Sequence, residues 1–80
     1  MSARLIAIAW KASVSPTAKF VLLAIADLGG GNIFDMFEIT TPTGLTSAEV
    51  DLAIAELQSN GLITVDGAGL HMTAAVERAG

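Results

Sequence analysis

The sequence predicts an α+β domain, mostly helical, in which three helices are followed by a C-terminal β-hairpin. Three observations carry this. Ser15-Pro16 opens an apolar run with a good N-cap residue and a good first helical residue. Thr46-Ser47-Ala48-Glu49 has the capping-box pattern, a threonine with glutamate three residues on. Two β-prone runs, Leu62–Val65 and Leu70–Thr73, flank the turn Asp66-Gly67-Ala68-Gly69.

The 80 residues, 52% of them hydrophobic, suit one domain with a small core. It divides into an apolar N-terminal segment (1–14), a helical core (15–61), the hairpin (62–73) and a tail (74–80). The first core helix spans Pro16 to Leu28, with Val21, Ala24, Ile25 and Leu28 on one face at three- and four-residue steps. Gly29-Gly30-Gly31-Asn32 stops it, as glycine accepts the left-handed cap. Ile33-Phe34 reads either as a short strand or as an apolar lead-in. Asp35 to Thr41 reads as a short helix whose extension Pro42 limits. After the turn at Gly44-Leu45, Thr46 caps a helix from Ser47 to Ser59, and Asn60-Gly61 ends it. The tail adds a partial helical turn or frays.

Helix, short helix, turn, helix, hairpin is the order of a winged helix-turn-helix, where the last helix reads DNA and the hairpin is the wing. Individual residues carry the same likeness. Ser15-Pro16-Thr17-Ala18-Lys19 with Val21–Asp27 resembles the first helix of winged-helix domains common in phage and prophage replication and regulatory proteins. Gly44-Leu45-Thr46 with Val50, Ala53, Leu57 and Asn60-Gly61-Leu62-Ile63 is similar to their turn, third helix and first wing strand. The resemblance covers roughly residues 4–73. It implies a small DNA-binding module that joins further domains or works as a dimer.

The charge distribution departs from that family pattern. Arg4, Lys11 and Lys19 stand in the first nineteen residues; from Phe20 to Glu77 there is no lysine or arginine, and all eight acids fall there. With Arg78 the net charge is −4. On a helical wheel at ~100° per residue, Val50, Ala53, Ile54 and Leu57 face inward. The opposite, reading face holds Ala48, Leu52, Ala55 and Ser59, flanked by Glu49 and Glu56 on one side and Asp51 on the other. Base reading relies on Arg, Lys, Asn or Gln backed by phosphate clamps, and only Gln58 is of that kind. We therefore expect Ala48, Glu49, Asp51, Leu52, Ala55 and Glu56 to bind a protein, a basic host protein being one form of partner. The carboxylates also suit an inhibitor that mimics DNA phosphates. The alternative is a DNA-binding protein in transcription or replication control, contacting phosphates through Arg4, Lys11 and Lys19.

Other chemistry is expected to be absent. With no cysteine there is no disulfide or thiolate metal site. His71 is a lone histidine without a second ligand nearby, so no metal is expected. Gly29–Gly31 follows a helix and lacks the Lys-Ser/Thr ending of a phosphate loop. Asp35 and Glu38 share a face but have no nucleophile around them, so the chain is not expected to be an enzyme and no cofactor is expected. Leu5, Ile6, Ile8 and Trp10 form either a dimer or partner anchor or a segment folded back over the domain's own helices. That segment is short for a signal-peptide core, and Phe20–Ala26 is far below the ~20 residues of a bilayer span. A soluble, cytoplasmic protein is expected. The mean hydropathy of +0.64 nevertheless suggests apolar surface covered by a partner or a second copy.

Overall fold

The computed structural model describes residues 3–73. It is α+β and mostly helical. Helices α1 (Ala3–Lys11), α2 (Pro16–Asp27), α3 (Phe37–Thr43) and α4 (Ser47–Ser59) precede strands β1 (Ile63–Asp66) and β2 (Gly69–Met72). Four helices thus replace the three expected, and the addition is α1. Its Leu5, Ile8 and Ala9 make an apolar stripe at three- and four-residue spacing that closes on α2. A nine-residue helix is marginal in water by itself, so this packing is what holds it. The tail, 74–80, lies outside the described residues.

The hub is α2, which packs against α1, α3, α4 and β2. Its buried set is accordingly wider than the single face expected: Ala18, Val21, Leu22, Ile25 and Ala26 are enclosed, whereas Leu28 is exposed beyond the helix end and Ala24 is half-buried. The start follows the sequence signal, with Ser15 as N-cap accepting from the Ala18 amide and Pro16 in the first turn.

The short helix α3 begins two residues later than expected and runs through Pro42. Asp35 Oδ1 accepts from the Phe37 amide at 2.9 Å, which turns the chain before the helix begins. The end is set by Gly44, whose N–H donates to Thr40 O. In α4 the capping box is complete: Glu49 N–H donates to Thr46 Oγ1 and Thr46 N–H donates to Glu49 Oε1. Val50, Ala53 and Leu57 point into the core, and Ile54 packs against it.

The hairpin pairs Ile63 with Met72, Thr64 with His71, Val65 with Leu70 and Asp66 with Gly69. Pairing therefore reaches one residue further into the turn than expected, leaving only Gly67-Ala68 as the loop. Between α2 and α3, Ile33 forms a single bridge to β2, donating to Leu70 O at 3.1 Å and accepting from Leu70 N at 2.8 Å. This resolves the open reading of Ile33-Phe34: one residue pairs, and its buried side chain joins Ile63, Leu70, Met72 and the helix residues in one apolar cluster.

Candidate protein-binding face on α4

The outward side of α4 is built by what its inward side must do. Once Val50, Ala53 and Leu57 are buried, the helical repeat of ~100° leaves Ala48, Asp51, Leu52, Ala55 and Ser59 exposed. Leu52 is the most exposed large apolar side chain of the described residues, at 75% of its free area. It borders a shallow depression lined by Ser15, Thr17, Glu49, Leu52, Ala53 and Glu56, where the N-terminus of α2 meets α4.

The three flanking carboxylates are not equivalent. Glu49 is consumed by the capping box, and the Thr46 N–H followed by its hydroxyl holds the carboxyl below the ordinary range. Glu56 reaches across to α2: Ser15 N–H donates to Oε2 and Ser15 Oγ–H to Oε1, both at 2.7 Å. These bonds, the backbone one first, lower its pKa. The Ser15 hydroxyl thereby accepts from Ala18 N while donating to Glu56, so one carboxylate supports the α2 cap from the outside. Asp51 alone of the three stands on the exposed surface with no such structural duty. The sequence marked Glu49 as a cap but not Glu56, because Ser15 lies 41 positions away.

The cations gather elsewhere. Arg4 and Lys11 are seven residues apart and fall on one edge of α1. Lys19, on α2, donates from Nζ to Trp10 O at 2.9 Å, which places its charge at the C-terminal end of α1 where a cation is favoured. Of the candidate anchor, Leu5 and Ile8 are buried in the chain's own core and Ile6 packs against it, so these three offer a partner little surface. Trp10 is the exception, 61% exposed.

One contact at the far side was missed by sequence reading. Register places His71 on the strand opposite Thr64, and its Nε2 lies 3.1 Å from Asp66 Oδ2, with Nδ1 3.3 Å from Met72 O. Hydrogen bonding to Asp66 raises the His71 pKa; the Ala68 amide and then His71 lower that of Asp66. The signs define a window. A raised histidine pKa contributes stability below the unfolded value and loses it as pH rises through the folded value. A lowered aspartate pKa contributes above its unfolded value and loses it as pH falls through the folded one. The hairpin is therefore held most firmly in the mildly acidic range between the two. An NMR titration of the His71 ring should show a midpoint above the ordinary histidine value that returns toward it in Asp66→Asn; an unmoved midpoint in the variant would dissolve the pair.

Among the described residues no three His, Asp or Glu side chains converge as a metal set, and no helix is long and apolar enough to cross a membrane. No family model, curated protein or solved structure matches the chain.

Proposed function

We propose that the chain is a small, non-enzymatic, cytoplasmic regulatory module on a winged helix-turn-helix scaffold, of the kind found in phage and prophage proteins, and that the outward face of α4 binds a basic protein. The element order supports the scaffold: α2, a bridging residue, α3, a turn, α4 and a hairpin, with Ile33 supplying a third strand position beside β2. The observation that carries the function is the chemistry of the would-be reading helix. Leu52 stands out between Ala48 and Ala55, with Asp51 exposed beside it and no lysine or arginine from Phe20 to Glu77. An apolar ridge rimmed by acid fits a groove with cationic edges. Phosphates would be repelled.

The decisive experiment is capture from host lysate with wild type and two variants. Leu52→Arg should abolish capture and Asp51→Lys should weaken it about tenfold or more, with thermal stability held within ~0.5 kcal/mol because both positions are exposed. Capture unchanged by both variants removes this face from the account. A second reading, direct DNA binding, is favoured by one observation, the gathering of Arg4, Lys11 and Lys19 around α1. Submicromolar duplex binding with a steep negative salt slope would replace our proposal with that one.

A further inference from the structure

Two exposed aromatic faces of opposite charge lie outside the α4 site. The first is at the end of α1. Trp10 is 61% exposed, Lys11 follows it on the surface, and the Lys19 ammonium is pinned to the Trp10 carbonyl. Residues 3–19 contain three cations and no acid. The second is the entry to α3. Phe34 and Phe37 are 72% and 71% exposed, three residues apart, with Asp35 and Glu38 exposed beside them. Residues 20–73 contain seven acids and no lysine or arginine.

The phenylalanines are displayed from a fixed frame. Ile33, immediately before Phe34, is paired in both directions with Leu70. The Phe37 amide is held by Asp35 Oδ1, and Ile39, two residues on, is fully buried. A backbone held this way loses little further freedom on binding. Left bare, each forgoes burial of an aromatic surface that amounts to about 150–250 Å² per ring when enclosed.

We propose that these two faces bind each other between copies of this chain, head to tail. Trp10 of one copy seats against Phe34 and Phe37 of the next, and Lys11 and Lys19 stand opposite Asp35 and Glu38. The chemistry that the acidic aromatic face asks of a partner, an exposed aromatic with cations beside it, is present on the chain's own α1. Joined head to tail, the contact is heterologous: each copy offers a different face to each neighbour, and the assembly grows into a ring or an open row. Three rings are a small area against the ~1,200–2,000 Å² of a stable interface, so the assembly is weak and forms at about 0.1–1 mM chain. Leu52 has no part in it, and its failure is therefore separable from that of the α4 reading.

The test is sedimentation velocity of the full chain across that concentration range, at low salt and at about 0.5 M salt. Wild type should grow with concentration at low salt and revert to monomer at high salt. Trp10→Ala alone and Phe34→Ala/Phe37→Ala alone should each stay monomeric. Mixed in equal amounts they should form a one-to-one dimer that grows no further, as each variant retains the face that the other lacks. Far-ultraviolet circular dichroism should show both variants folded, since the three side chains lie mostly outside the core. Monomer throughout in the wild type overturns the proposal. So does a mixture that remains monomeric, or a Trp10→Ala chain that associates like wild type, either of which would assign the contact to a like-with-like face.

Discussion

Leu22→Ala should lower the melting temperature by roughly 12–24 °C, one of the two largest effects we expect. Leu22 is fully enclosed on α2, the helix that touches α1, α3, α4 and β2. Removing its terminal carbons leaves a cavity in the core, at the helix around which the other elements pack. Leucine-to-alanine changes at such sites cost 2–5 kcal/mol, and about 3 kcal/mol suits this one. In a domain of this size each kcal/mol moves the midpoint by ~4–8 °C, and the whole fold is held by roughly 4–12 kcal/mol. Thermal denaturation checks the value, with Leu52→Ala as the exposed comparison that should scarcely move. A fall below ~4 °C for Leu22→Ala would show that the helices are not packed around α2 as described.

Gly69→Ala should cost about 2–4 kcal/mol and should act at a distance from the residue itself. Gly69 opens β2 with φ +88°, a conformation that disfavours any side chain by ~1–2 kcal/mol. The added methyl would also sit 2.8 Å from Ile33 O, a backbone atom that cannot step aside without breaking its bond to Leu70 N. Two hydrogen bonds of the Ile33–Leu70 bridge are thus at stake, each worth about 1 kcal/mol. Gly61→Ala is the matched control. Its φ is +72° but a Cβ there meets nothing within 4 Å, so only the conformational cost of ~1 kcal/mol applies. Amide exchange should accelerate at Leu70 in Gly69→Ala and not in Gly61→Ala. Equal effects in the two variants would mean that contact with Ile33 is unimportant.

What could be read in advance follows the reach of each interaction. The starts of α2 and α4 were legible because a cap is a bond within four residues: Ser15 to Ala18, Thr46 to Glu49. The hairpin was legible from its glycines and β-prone flanks, although the turn proved shorter because Asp66 and Gly69 pair with each other. The helix α1 was not recognised. Leu5, Ile8 and Ala9 have helical spacing, but with no cap signal the segment owes its helicity to α2. The Ile33 bridge is one residue long and its partner is 37 positions away. On α4 the periodicity correctly separated Val50, Ala53 and Leu57 from Ala48, Leu52 and Ala55. It had no means of showing that Glu56 is engaged by Ser15, or that Asp66 and His71 meet across a turn. Local patterns reveal which face a residue takes; only the assembled chain reveals which charges are already occupied.

The occupation of Glu56 divides the acidic rim of α4 by timescale. A carboxylate that holds two bonds to Ser15 still contributes its full charge to the field that draws a cation in from solution. Clasping that cation on arrival would compete with the carboxylate's bonds to Ser15, which support the cap of α2 from outside. Asp51 has nothing to surrender. Under the function proposed above, Glu49 and Glu56 would govern how quickly a basic partner is found, and Asp51 with Leu52 how long it stays. Arrival and residence, one set by long-range charge and the other by contact, would then fall to different side chains of the same helix.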